Sequence, residues 1–276
     1  MPWSHPYLNS ATSPWTPGGT AGLMPSVPRH QAVQGLVFHF RADEDAHRSF
    51  LPPLLEPSAA HPGEVVWLYA HHTATPVGED WSDWHPDRLG TTESLLGVVC
   101  EYEGVVGTYY NYNFCDTDWD LALMHYFGFP SKLAHFSSSP EHPGHPDLNG
   151  VRAGARRTAT VDRLGQRLVT ARATLEEKVE LSDTPLSKVL SSYGVRHIPN
   201  VDHAADGRPL AFDLVKEEGF DHSFGDLWHG TGELTFHEAE NEEMHLLSPV
   251  EILDVYHLQF AYKTGGVRVL HNYLDD

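Results

Sequence analysis

Apolar and polar positions alternate in steps of two along several short stretches of this chain, the period of a strand with one buried face. Residues 34–41 read this way, with Leu36, Phe38 and Phe40 on one side. Residues 64–72 follow through Val65-Val66-Trp67-Leu68-Tyr69. Residues 91–99 and 109–114 are joined through Glu103-Gly104, a two-residue hairpin signature. Another pair, 151–160 and 167–175, flanks Asp162-Arg163-Leu164-Gly165. Residues 233–239, 259–262 and 267–273 supply the last strands. Helical signals are fewer. Asp43-Glu44-Asp45 opens a short helix that Pro52-Pro53 stops, acids in its first turn as the helix dipole prefers. A second short helix precedes Gly128. Residues 177–193 are helical in part, Thr184-Pro185 starting the second piece, and Ser248-Pro249 with Glu251 predicts a helix over 250–256. A long His- and Gly-rich stretch running to Gly232 shows neither period.

Short strands in hairpin order with a few short helices argue against a doubly wound parallel sheet. The expectation is an α+β, mostly antiparallel β architecture, the sheet curled into a barrel with helices at its edges. Six prolines and Gly18-Gly19 make residues 1–30 an extended Pro/Gly-rich arm, with Trp3, Tyr7 and Trp15 available to dock on a neighbouring subunit. Residues 31–276 then form a single domain. Residues 81–90, rich in Trp, Asp and Pro, and 137–150, with Pro140, Pro143 and Pro146, read as loops.

Charge narrows the partners. Eighteen basic residues against 38 acidic ones give a net charge of −20, a field that repels nucleic acid and anionic membranes. No window approaches the length of a membrane-spanning apolar helix, and the first residues lack the pattern of a secretory signal. A cytoplasmic location is expected. The two cysteines, Cys100 and Cys115, do not oppose each other in the hairpin: the register read from Glu103-Gly104 pairs Cys100 with Gly107 and Cys115 with Thr92, so both read as free thiols.

One carboxylate interrupts an apolar strand. Glu93 shares its face with Leu95, Gly97 and Val99, where burial raises a carboxyl pKa toward the range of a general acid or base. In the simple register Phe114, Tyr112 and Tyr110 lie on that face too, giving an aromatic pocket. His71 and His125 are candidate proton-transfer partners, as is His135, and of the adjacent His71 and His72 at most one faces the interior. No metal site is expected. His237-Glu238-Ala239-Glu240-Asn241 lacks the second histidine of a zinc-protease helix, and Asp116-Thr117-Asp118-Trp119-Asp120 is followed by Leu121 where a calcium loop needs glycine. No phosphate loop or nucleophile elbow occurs, and no cofactor is expected.

The order from Glu93 through the aromatic strand to Gly128-Phe129-Pro130-Ser131-Lys132-Leu133 resembles the core of the acetoacetate decarboxylase superfamily. Thr235-Phe236-His237-Glu238-Ala239 and Val269-Leu270-His271-Asn272-Tyr273-Leu274 resemble further family segments, so the likeness covers most of residues 33–274. It implies a cone-shaped barrel with an interior site, Glu93 at the position of the family's active-site glutamate, and assembly into homo-oligomers. In the family motif a lysine forms a Schiff base with the substrate; here Ser131 holds that position and Lys132 matches the second, helper lysine. A lysine must lose about 4 pKa units, or about 6 kcal/mol, to be neutral near pH 6. A neighbouring cation supplies part of that, with acetoacetate decarboxylase itself the usual example. That neighbour is missing. The family's second glutamate has no match in residues 65–69, and Arg29 sits too early to match its substrate-binding arginine.

Three readings follow. One is a lyase that works by acid–base catalysis at Glu93 on a β-keto, enol or polyketide-like metabolite of secondary metabolism, by dehydration, aldol-type condensation or cyclisation. The pocket would draw on Tyr110, Tyr112, Phe114, Phe129, Ser131, His71 and His125. The second keeps an imine through a re-aimed Lys132. The third is a non-catalytic barrel that holds a small ligand.

Overall fold

The computed structural model describes residues 28–77, 86–189, 191–202 and 206–276. Residues 1–27 of the expected arm and 81–85 of the loop expected at 81–90 lie outside the described residues, and the arm's last two residues, Arg29 and His30, begin β1. Three strands and a helix open the fold: β1 (Arg29–Arg41), α1 (Glu44–Ser49), β2 (Glu56–Pro57) and β3 (Glu64–Pro76). Asp43 caps α1, its carboxylate accepting from the N–H groups of Asp45 and Ala46. The hairpin β4 (Gly90–Tyr102) and β5 (Val105–Cys115) follows, then α2 (Asp118–Phe127) and the short strands β6 (Ser131–Leu133) and β7 (His135–Ser138). Next come β8 (Arg156–Arg163), β9 (Gln166–Val179), α3 (Leu186–Val189), β10 (Ser192–Ile198), β11 (Ala211–Phe224), β12 (Leu227–Phe236) and β13 (Glu251–Asn272).

All thirteen strands join one mixed, largely antiparallel sheet, and the sheet bends back on itself. β13 has β1 along one edge; on its other edge β12 and then β11 pair with successive parts of it. A ring of seven strands closes as a result, in the order β1-β3-β4-β5-β10-β11-β13 and back to β1. β12, β9, β8 and β7 continue from β13 as a second layer. Closure leaves few unpaired strand edges.

Residues 250–256 were expected to be helical and are not. From Glu251 on they begin β13, a 22-residue strand. The proline and acid at its start mimic a helix entry, but ladders along both edges satisfy the backbone, and Ile252, Val255 and Tyr256 suit a pleated surface. The His- and Gly-rich stretch likewise contains β10 and β11. The strands expected at 259–262 and 267–273 fall in β13, which ends at Asn272, and among the described residues of 177–193 only Leu181–Asp183 and α3 are helical.

The central strands bury both faces, one on packed core and one on open space. On the first, Phe38, Phe40, Trp67, Leu96 and Phe114 pack against Val161, Leu168, Val169 and Phe236 of the second layer. On the second, Val37 and Val66 meet Leu186, Val189 and Tyr256, and the rest of that face borders a cavity inside the seven-strand ring.

Candidate active site

The cavity has a volume of about 1130 Å³. Its site is set by a bulge in the β4–β5 hairpin. The turn at Glu103-Gly104 has positive φ at both residues (49° and 78°), as expected of a two-residue hairpin turn. From there Cys100 pairs with Gly107 and Gly97 with Tyr110, matching the simple register. Asn111 is then an extra residue: its side chain turns out to donate to the Phe50 carbonyl (2.8 Å), and the pairing shifts by one. Beyond it, Leu96 opposes Tyr112, Ser94 opposes Phe114, and Glu93 opposes Cys115, where Thr92 was expected. A one-residue slip reverses faces. Tyr112 and Phe114 therefore lie on the packed-core side, and of the four expected pocket aromatics Tyr110 and Phe129 share the cavity with Glu93.

Glu93 is 3% exposed. Its Oε2 lies 2.8 Å from Nε2 of His72, whose Nδ1 is 3.4 Å from Oε1 of Gln31. Burial pushes the Glu93 carboxyl upward, but the His72 imidazolium and hydrogen bonds from His72, Asp120 and Asn113 together carry it well below the usual carboxylate range. The elevated Glu93 expected from the sequence is corrected: strand alternation brings a histidine beside it. His72 is raised in turn, burial opposing and Glu93 prevailing. Asp120, 4% exposed, is held well above the carboxylate range by burial and by the charge of Glu93, so it keeps the proton it shares with that residue. Thr91 Oγ1 stands 3.5 Å from its Oδ2.

Glu217 of β11 faces the same cavity across the ring. Burial raises its carboxyl to about 7, the Glu93 charge adding to this while Tyr262 and His72 oppose it. Tyr262 Oη donates to Glu217 Oε1 at 3.2 Å. Tyr262 belongs to an aromatic wall, with ring centroids 5.6 Å from Phe260 and 5.8 Å from His222 and planes within 16° of each. At the opposite end α2 packs Trp119, Leu123 and Phe127 on Phe129, which closes the cavity beside Tyr110. Gly128, at φ 88°, ends α2 and lets the chain pass against the backbone of Val195 and Arg196.

The remaining expected residues are distributed as follows. Ser131 is buried behind Asn113, accepting from its Nδ2 at 3.0 Å. Lys132, the next residue on β6, points to the other face: its Nζ is 2.6 Å from Glu242 Oε2 and 5.6 Å from the Tyr112 ring centroid. Glu242 also pairs with Arg163 at 3.0 Å. His71 lies outside the cavity, with Nε2 3.3 Å from Ser138 Oγ, and His125 is exposed on α2. The inward member of the His71-His72 pair is thus His72. Arg29 is buried at the start of β1 and donates to the Ala74 carbonyl at 2.9 Å. Among the described residues no group of three or more His, Cys, Asp or Glu side chains is placed to hold a metal ion.

Sequence reasoning passed over His72, Asp120, Glu217 and Tyr262. Asp120 leaves a legible signal: with Leu123 and Phe127 it falls on the apolar stripe of α2, where a carboxylate is out of place. Glu217 leaves none, because its strand lacks the period.

Residues 12–274 match the family model for acetoacetate decarboxylase. No sequence relative matches among curated proteins. Among solved structures, the enduracididine biosynthesis enzyme MppR complexed with pyruvate is 25% identical, with TM-score 0.81 over 95% of this chain and 97% of that one. The same enzyme is also known complexed with the condensation product of pyruvate and imidazole 4-carboxaldehyde, at TM-score 0.82 and 25% identity over 95% and 96% of the two chains. An acetoacetate decarboxylase-like enzyme from Sphingomonas wittichii RW1 is 22% identical, with TM-score 0.84 over 95% and 99%.

Proposed function

The chain belongs to the acetoacetate decarboxylase family, and from that premise we propose that it is a lyase acting on a small keto or enol substrate by acid–base catalysis without an imine at Lys132. The observation that carries this reading is the pairing, in one aromatic cavity, of a carboxyl near neutrality (Glu217) with the Glu93–His72 ion pair. A base that takes a proton from carbon next to a carbonyl works best with a pKa near the working pH. Glu217 takes that proton. The charge that develops on the enolate oxygen is stabilised across the cavity by the positive charge of the His72 imidazolium, whose own N–H groups face Glu93 and Gln31. The enolate then adds to an aldehyde acceptor, and loss of water completes an aldol-type condensation. Glu217 returns the first proton to the acceptor oxygen and carries a second α-proton to the departing hydroxyl, while Tyr262, whose own hydroxyl burial holds far from ionisation, stays hydrogen-bonded to it. Condensation is favoured over the other acid–base options because MppR, of the same fold, holds a pyruvate condensation product.

The imine reading is less well supported. The Lys132 ammonium is engaged by the buried Glu242 on the far side of its strand, and an opposite charge stabilises the cation that an imine-forming lysine must shed.

Pyruvate in D2O tests the proposal, followed by NMR for loss of its methyl protons and, with imidazole 4-carboxaldehyde added, for condensation. Exchange is expected with the wild-type protein, to fall at least 100-fold in Glu217→Gln, and to change less than threefold in Lys132→Ala. Borohydride that fixed pyruvate to any lysine would replace this reading with a covalent one. Full exchange in Glu217→Gln would remove Glu217 as the base.

A further inference from the structure

One pair of side chains lies outside the cavity and has no part in the reaction proposed for it. β3 and β7 belong to different layers and border a groove of about 410 Å³, which shares no lining residue with the cavity. Strand alternation sets Tyr69 and His71 toward the groove from β3, and Phe136 and Ser138 toward it from β7. His71 Nε2 is 3.3 Å from Ser138 Oγ. Its Nδ1 is 3.2 Å from Oγ1 of Thr92, the residue directly opposite it on β4. Asp116, fixed by the Thr92 N–H (2.8 Å) and the Thr91 hydroxyl (3.1 Å), lends its negative charge to the ring. Burial outweighs that charge and keeps His71 neutral, so the ring can accept a proton. The Tyr69 hydroxyl, kept from ionising by burial, is hydrogen-bonded to Ser138 as well. A hydroxyl in reach of a neutral imidazole, with the imidazole oriented by a third group, is the arrangement that activates a serine. No local motif announces it, because its two halves meet only where the layers pack.

We propose that Ser138 and His71 form a second catalytic site, independent of the cavity, that hydrolyses small uncharged carboxylic esters through an acyl-serine. In the tautomer this requires, Nδ1–H donates to Thr92 Oγ1 and the bare Nε2 accepts from the Ser138 hydroxyl. Ser138 Oγ attacks the ester carbonyl carbon while its proton passes to His71 Nε2. The bond from that carbon to the alcohol oxygen then breaks, and His71 gives the proton to the departing oxygen. Water repeats the sequence. It attacks the acyl carbon and loses a proton to His71, and the carboxylic acid leaves as Ser138 Oγ recovers that proton. Tyr69 is the hydroxyl beside Ser138 that donates to the carbonyl oxygen as it gains charge. The groove is lined by Asp116 and by neither lysine nor arginine, which disfavours an anionic substrate, while Leu133 and Phe136 offer apolar surface.

p-Nitrophenyl acetate and diisopropyl fluorophosphate are the probes, used on the full chain near neutral pH. The acetate ester is expected to turn over. Ser138 is expected to displace fluoride from the phosphorus of the second probe, the label being located by peptide mass spectrometry. Hydrolysis falls about tenfold or more in Ser138→Ala and in His71→Asn, to the background that exposed histidines give, and the label on residue 138 is lost in both. Both side chains are exposed, so each variant keeps its fold, which circular dichroism verifies. Ser137→Ala, on the opposite face of β7, changes neither readout. Hydrolysis undiminished in Ser138→Ala, a label found only on other residues, or full labelling of Ser138 without the His71 imidazole would overturn the proposal.

Discussion

Glu217 shows how burial and chemistry conflict at a single residue. Its carboxyl rises to about 7 from an ordinary value near 4.5, so between those pH values the folded protein holds a proton that the unfolded chain has lost. Stability therefore falls as pH rises through that window, by on the order of 3 kcal/mol in total. Glu217→Gln removes this dependence. Urea unfolding is expected to give the variant and wild type similar stability near pH 4.5, with the variant gaining steadily up to about pH 7.5. A stability difference that does not change with pH would show that Glu217 is solvated. The neighbouring acid behaves in the opposite way. Glu93, held low by His72, contributes stability that is present above its unfolded value and is lost as pH falls toward its folded one. Two carboxyls in one cavity are thus pushed apart, Glu217 upward by burial and the charge of Glu93, Glu93 downward by His72, the arrangement that assigns separate roles to chemically similar groups. Glu93 was visible in the sequence as a charge among apolar neighbours. The sign of its shift was not, because His72 reaches it only across the β3–β4 pairing.

Elements decide which side chains share a space. The bulge at Asn111 sends Tyr112 and Phe114 to the core and keeps Tyr110 in the cavity, and Gly97 sits opposite it. A Cβ on Gly97 would lie 2.6 Å from Thr108 Cγ2 and 2.8 Å from both the Tyr109 carbonyl oxygen and Tyr110 Cδ1. Gly97→Ala is therefore expected to cost about 1–3 kcal/mol and to disturb Tyr110 first. Thermal unfolding checks the first effect and Tyr110 ring NMR shifts the second. An unchanged melting temperature would mean that the ladder relaxes freely there. β6 makes the same point through period alone. Ser131 and Lys132 are consecutive on a strand, so one is buried beside Asn113 while the other meets Glu242. That opposition follows from alternation and was legible in the sequence. The bulge was not, since the two-residue turn specifies only the register next to it.

At the scale of the whole molecule, the acidic surface outweighs local detail. Twenty histidines nearly offset the net charge of −20 as pH falls, and solubility is expected to pass through a minimum near the sequence pI of about 5.3. Turbidity measured across pH tests this; clear, concentrated solutions at that pH would contradict it. Ring closure is likewise a global property. Each strand of the ring is local, but the cavity exists because β13 pairs with β1, and those strands are joined only after more than 200 residues of intervening chain. Local periodicity, turn chemistry and a displaced lysine motif were enough for the sequence by itself to determine the family, a mostly antiparallel sheet, the hairpin turn and the buried place of Glu93. Tertiary structure alone decided that residues 251–256 are strand, that His72 faces inward where His71 does not, and that Glu217 and Tyr262 line the same cavity as Glu93. The physical reason is the range of the forces involved. Side-chain period and turn geometry act between near neighbours in the chain, whereas edge pairing, desolvation and charge coupling act between residues that only folding brings together.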